Sequence, residues 1–230
     1  MKTMEKGKLI VIDGTDGAGK ETQTRLLVRA LKKAGEKVKT LDFPQYHTKS
    51  AGLVENYLEG RYGDRASDVD PYVASVFYAV DRYDAAQVKL QKWLDDGAMV
   101  ILDRYVSANM GHQGAKIKDP IEREQYFDWL FELEFEIFGI PKPDARFILY
   151  VDPEVGQKLA DRKWTKAQHN LSKKDIHETD LSHLQQAAKV YRELADILPD
   201  TNLIECTEEG NMRSREDIHK EIMARINLLS

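Results

Sequence analysis

Cysteine is nearly absent: Cys206 is the single one in 230 residues. That excludes a disulfide within the chain and a zinc cluster built on cysteines, and it suits a reducing compartment. An excess of positive charge is also missing. The formal net charge is -5, which argues against DNA or RNA as a partner. A small anion is a different matter, since it needs only a local group of cations. Long apolar runs are lacking. None approaches the roughly 20 residues that cross a bilayer, and Met1–Lys8 has no apolar signal segment. A cytoplasmic protein with no membrane partner is expected. Proline is sparse, with 7 residues, and no repeat or Pro/Gly-rich linker divides the chain. One domain over residues 1–230 is expected.

What is present is an alternation of short apolar runs with longer amphipathic ones. Hydrophobic residues make up 42% of the chain, enough for a packed core, and charged residues of both signs 32%. Strands are expected at Leu9–Ile12, Val38–Phe43, Ala98–Leu102, Ala145–Val151 and Asn202–Cys206. Helices are expected at Glu21–Ala34, Ala51–Leu58, Tyr72–Leu94 after Pro71, Ile121–Phe138, Pro153–Arg162, His183–Leu198 and Arg215–Leu229. Strands separated by helices predict an α/β fold with a parallel sheet covered on both faces. The polar, basic stretch from Lys163 to Lys174 reads as a flap on that domain.

Gly14-Thr15-Asp16-Gly17-Ala18-Gly19-Lys20-Glu21-Thr22 follows the first strand and opens the first helix. Its Gly-x-x-x-x-Gly-Lys core is the P-loop pattern in its required context. Glycines let backbone N–H groups close on a phosphate, the helix end adds partial positive charge, and Lys20 reaches the outer phosphates. The departure is Glu21, where a magnesium-binding Ser or Thr is usual; Thr22 follows it.

A P-loop alone fits kinases, GTPases and ATP-driven switches. Asp103-Arg104-Tyr105 ends the third strand, at the edge where open parallel sheets collect ligands. Asp103 is placed like a carboxylate that holds magnesium, and Arg104 suits a second phosphate group. No Asn-Lys-x-Asp guanine-reading motif occurs, which demotes a GTPase.

Taken in order, the P-loop, Phe43-Pro44-Gln45-Tyr46, Asp81-Arg82, Asp103-Arg104-Tyr105 with Ser107 and Asn109, Gly139-Ile140-Pro141-Lys142-Pro143-Asp144 and Glu178 resemble the thymidylate kinase family over nearly the whole chain. The resemblance implies a P-loop, three-layer fold with a five-stranded parallel sheet, a mobile lid at about 162–177, and a homodimer. It implies transfer of the γ-phosphate of ATP to TMP, with magnesium.

It also implies roles. Gly14 through Thr22 would hold ATP, aided by lid cations drawn from Arg162, Lys163, Lys166, Lys173 and Lys174, with Arg162 and Lys166 foremost. Tyr78 would stack on thymine one helical turn before Arg82, which would bond a base carbonyl, and Asn109 would read the base's N3 edge. Phe43, Pro44, Tyr46, Tyr105 and Arg104 would line the acceptor site. Asp16 would sit near the acceptor sugar, and with Asp103 and Glu178 near the metal. His112 and Gln113 fall where family members vary between Tyr and Gln, near sugar or base. Lys20, Arg104 and Asp16 would carry the catalysis.

Two other readings stand beside this one. A deoxynucleoside kinase would need a carboxylate base, Asp13 or Asp16, for a hydroxyl acceptor. A non-catalytic nucleotide-binding regulator would bind ATP without transfer, and Glu21 gives it its weight.

Overall fold

The computed structural model describes residues 6–152, 154–156 and 181–229. Five strands, β1 (Leu9–Gly14), β2 (Val38–Asp42), β3 (Met99–Asp103), β4 (Ala145–Tyr150) and β5 (Thr201–Glu205), form one sheet in the order β2-β3-β1-β4-β5. All neighbours run parallel, with Leu9 against Val100 and Ile10 against Ala145. A short antiparallel hairpin follows, β6 (Thr207–Glu208) with β7 (Asn211–Met212). The helices are α1 (Lys20–Lys33), α2 (Gly52–Leu58), α3 (Pro71–Ala85), α4 (Gln91–Asp95), α5 (Val106–Gly114), α6 (Pro120–Phe131), α7 (Leu181–Ile197) and α8 (Arg215–Ile226).

The strand period of two sorts the core. Leu9, Val11, Val100 and Leu102 point to one face and meet Met110, Tyr126, Leu130, Val190 and Leu194 from α5, α6 and α7. Ile10, Ile12 and Ile101 point to the other and meet Leu27 and Leu31 of α1 and Ile218, Ile222 and Ile226 of α8. Each residue of β1 and β4 is buried, so the central strands read as continuous apolar runs rather than alternating ones.

Asp-Pro pairs start two of the helices. Asp70 Oδ1 accepts from the N–H groups of Tyr72 and Val73 ahead of α3, and Asp119 Oδ1 from those of Ile121 and Glu122 ahead of α6. Proline at the first helical position loses no bond there.

The expected elements lie within a few residues of these bounds; the β6–β7 hairpin was not expected, and three further differences stand out. The long helix expected at 72–94 carries a π-turn, Ala86–Leu90, between α3 and α4. The helix expected at 121–138 likewise passes from α6 into a π-turn, Glu132–Ile137. Helix α5 was not among the expected elements. Eight of its nine residues are buried, so it has no polar face to show a 3.6 period, and Ser107, Asn109, Gly111 and Gly114 are weak helix formers. Gly111 is needed for packing: a Cβ there would lie 2.6 Å from the Tyr191 ring. The helix expected at Pro153–Arg162 lies mostly outside the described residues, and the lid expected at about 162–177 lies wholly outside them.

Candidate active site

The phosphate cradle begins where β1 ends. Gly14 takes φ 130°, and a Cβ there would meet the Leu149 carbonyl oxygen at 2.0 Å. Thr15 ties the loop to the end of β4, its Oγ1 accepting the Val151 N–H at 2.9 Å. Gly19 caps α1 with no side-chain bond to the first helical N–H groups. That end of the helix is open to an anion. Lys20 Nζ folds back over the loop, donating to the carbonyls of Gly14 at 2.9 Å and Thr15 at 2.8 Å, and lies 3.5 Å from Asp16 Oδ1. Glu21 is exposed and Thr22 half-buried.

At the end of β3, Arg104 sits with φ 69°, unusual for a residue with a side chain. Its Nη2 donates to Asp16 Oδ1 at 3.1 Å, and its Nη1 lies 3.3 Å from His112 Nε2. Asp16 is therefore flanked by two cations. Burial opposes its charge, but Lys20 and Arg104 outweigh burial and hold its carboxyl well below the usual carboxylate range. Asp103 is pushed the other way, upward, chiefly by burial. Asp13, fully buried, accepts from Ser107 Oγ at 2.6 Å, while its Oδ1 has no partner among the described residues. Burial raises its pKa to about 6.

Beyond Arg104 lies a pocket. All ten residues expected around the acceptor border it: Asp16, Phe43, Pro44, Tyr46, Tyr78, Arg82, Arg104, Tyr105, Asn109 and Gln113. Leu58, Ala108 and His112 complete its wall. Five stretches of chain thus converge: the P-loop, the turn after β2, the end of α2, α3, and the run from Arg104 into α5. The Phe43 and Tyr105 rings pack at 5.9 Å, and Tyr57 meets Tyr78 edge-on at 6.3 Å. The turn holding the cis Phe43–Pro44 bond is pinned by Asp81, which accepts the Gln45 N–H at 2.8 Å and the Ser50 hydroxyl at 2.7 Å.

The wall carries unspent amide atoms. Neither amide atom of Asn109, nor Gln113 Oε1, has a hydrogen-bond partner among the described residues. A buried amide without partners costs free energy unless a ligand supplies them. Arg82 is half spent. Its Nε donates to both oxygens of Glu134, at 2.9 and 3.1 Å, and its Nη2 to Oε1. Its Nη1 makes no hydrogen bond among the described residues.

Asp103 lies outside the pocket wall and acts electrostatically on Lys20 instead. Among the described residues no three His, Cys, Asp or Glu side chains gather as a metal cage. Glu178, Arg162, Lys166 and the other lid cations lie outside the described residues. Sequence reasoning missed Glu134, His183, Tyr191 and the anchoring job of Asp81. Asp81 had a signal, its place beside Arg82; the others act through contacts between distant segments.

A family model described as thymidylate kinase matches residues 12–222. A thymidylate kinase of Mycobacterium tuberculosis is 35% identical over 189 residues, covering 81% of this chain and 85% of its own. The human thymidylate kinase is 32% identical over 144 residues, 63% of this chain and 61% of its own. The solved structure of thymidylate kinase from Candida albicans superposes with a TM-score of 0.72 at 20% identity, over 97% of this chain and 92% of that one. The family model and the mycobacterial relative show the family, and the solved structure bears on the fold. The chain belongs to the thymidylate kinase family and is an enzyme that phosphorylates dTMP to dTDP, with ATP as its nucleotide co-substrate.

Proposed function

We propose that the pocket beyond Arg104 is the dTMP site and that the P-loop and lid hold ATP against it. The observation that carries this reading is the convergence of ten separately expected residues on one pocket, with Arg104 and Lys20 both drawn to Asp16 Oδ1 at its wall. Thymine would lie against Tyr78 and Phe43. The free Nη1 of Arg82 would donate to a base carbonyl, and the Asn109 amide, donor and acceptor together, would meet the N3 edge. The acceptor phosphate would face Arg104.

Charge then does most of the chemistry. The second pKa of a phosphate monoester is about 6, so the acceptor is largely a dianion at neutral pH and attacks without a general base. The γ-phosphorus gains the acceptor oxygen and loses the bridging oxygen of ATP. Lys20 and Arg104 align the two anions and offset the charge between them. Magnesium suits the hard oxygen donors here, since it commonly takes one or two carboxylates with phosphate oxygens. Asp103, whose charged form burial disfavours, would be the foremost holder, with Asp16 and, from the family resemblance, Glu178 as further candidates. The ion would neutralise phosphate charge when bound.

The geometry disfavours a hydroxyl acceptor. Asp16 is held ionised by two cations, which makes it a weak base, and Asp13 lies behind the loop on Ser107 rather than in the pocket wall. The experiment is ADP release with ATP and magnesium against TMP, dUMP and thymidine. TMP should turn over and thymidine should not; turnover of thymidine above TMP would overturn the acceptor assignment.

The chain reads further as one domain with a lid at about 162–177, cytoplasmic and homodimeric. No helix among the described residues is long and apolar enough to cross a membrane. Val73, Val76, Val80 and Tyr83 form an exposed apolar stripe on α3, spaced as one helical face. A second copy would cover it, and sedimentation at micromolar concentration should give a dimer.

A further inference from the structure

The pocket wall next to Arg104 holds His112, whose ring faces the guanidinium rather than a neighbour in the core alone. We propose that His112 is a positioning residue for phosphoryl transfer, its Nε2 accepting from Arg104 Nη1 and so aiming the guanidinium at the acceptor phosphate. The proposal rests on the reading of this pocket as the dTMP site.

Arg104 carries five donors in one rigid plane. Two of its nitrogens are engaged from different elements: Nη2 by Asp16 Oδ1 in the P-loop at 3.1 Å, and Nη1 by His112 Nε2 on α5 at 3.3 Å. One partner would leave the plane free to turn about that bond. Two partners on separate elements fix it, at the wall of the pocket that Arg104, Asp16 and His112 all border. Transfer needs such alignment, because a misplacement of about 1 Å can cost about 100-fold in rate.

The imidazole must be neutral to accept at Nε2, and its surroundings keep it so. Burial is the largest influence. Asp16 pulls toward the charged form, while Arg104, His183 and Lys20 oppose it, and the pKa falls to about 3. The ring is itself held in place. It stacks on His183 at 6.1 Å and meets the edge of Tyr191 at 5.8 Å, both from α7. Tyr191 in turn fills the space that Gly111 leaves on α5. Helix α7 therefore braces the ring, and the ring braces Arg104.

A ring that merely packed would do as well without its lone pair. His112→Phe keeps the ring and removes the acceptor; His112→Gln keeps an acceptor near the Nε2 position. In His112→Phe, kcat/KM for TMP should fall about tenfold or more, with KM for ATP unchanged and a melting temperature within a few degrees of the parent. His112→Gln should stay within about threefold of the parent. In an Arg104→Lys background, which lacks the fork, His112→Phe should cost less than about twofold more. Parent-like TMP kinetics in His112→Phe, an equal tenfold loss in both backgrounds, or a His112→Gln variant as poor as His112→Phe would each overturn the proposal. If His112→Phe does not fold, His112→Leu is read in the same way, and failure of both to fold would make the ring a packing group and overturn the role. Arg104→Lys must itself impair TMP turnover; if it does not, the acceptor-site reading falls, a failure separable from that of His112 alone.

Discussion

Arg82 of α3 and Glu134 of the π-turn after α6 form a buried ion pair across 52 residues of sequence, with Arg82 Nε donating to both carboxylate oxygens. Burial alone would disfavour the guanidinium charge, but the Glu134 carboxylate outweighs it and raises the Arg82 pKa. Arg82 therefore has two jobs, one edge for Glu134 and one for the pocket.

The first prediction concerns those two jobs. From sequence, Arg82→Ala is expected chiefly to weaken TMP binding. With Glu134 left buried and unpaired it should also destabilise the fold by about 3–5 kcal/mol. Replacing the pair together, Arg82→Met with Glu134→Leu, should recover most of that stability and none of the TMP affinity. Urea melts and TMP titrations on both variants separate the two effects. A double variant as unstable as Arg82→Ala would show that the pair is not the cause.

The phosphate cradle was legible because its whole argument is local: strand, glycines, lysine and helix occupy adjacent positions from Leu9 to Lys33. The pocket was legible at a distance, through Phe43, Tyr78, Arg82, Arg104 and Asn109 standing in family order. What escaped shares one physical cause. Glu134 turns inward in a π-turn that no propensity marks, Asp13 meets Ser107 on a helix without an amphipathic pattern, and His112 gains its surroundings from α7, whose residues lie some 70 or more positions onward. Such contacts belong to tertiary packing, and a single sequence carries no local trace of them.

The Asp13 carboxyl gives a pH prediction. Its pKa in the fold is about 6 against an ordinary 3.8, with burial as the main cause. Between those values the folded state binds the extra proton, so stability from this group falls as pH rises from about 4 to about 6 and stays low above. The shift corresponds to about 3 kcal/mol. Asp13→Asn retains an acceptor for Ser107 without the charge, and should be more stable than the parent at pH 8 but little different at pH 4. Thermal melts at both pH values check it; an equal change at both would remove Asp13 from the account.

Asp81 anchors the turn that carries Phe43, Pro44 and Tyr46. Asp81→Ala frees the Gln45 N–H and the Ser50 hydroxyl, and loosening that wall should raise KM for TMP about tenfold with KM for ATP within twofold, a cost of about 1–2 kcal/mol. Steady-state kinetics with each nucleotide varied in turn decide it. An equal rise for both would point to general destabilisation.

Lys20→Ala should lower kcat by about 100-fold or more, since fixed charge aimed at a transferring group is usually the largest catalytic term. The fold should survive, because among the described residues Lys20 Nζ bonds loop carbonyls and Asp16. Circular dichroism and single-turnover transfer together test this. A folded variant with near-parent turnover would remove Lys20 from the mechanism.

Glu21 occupies the position where a P-loop usually offers a hydroxyl to magnesium, yet it should not be an essential metal ligand. Its side chain is exposed in the first turn of α1. A carboxylate there gains about 0.3–1 kcal/mol from the helix end. Turned inward, the same carboxylate would face the β-phosphate and be repelled unless a cation lay between them. The outward placement avoids that repulsion and leaves the backbone N–H of Glu21 for phosphate, Thr22 for a nearby hydroxyl, and Asp103 for the metal. Glu21→Ser and Glu21→Ala should therefore both retain turnover, with a magnesium requirement equal to or below that of the parent. The measurement is a magnesium titration of ADP release for each variant. A rise of about tenfold in the magnesium needed, about 1.4 kcal/mol, would mean that Glu21 turns inward to bind the ion when ATP is present and that the outward placement is wrong.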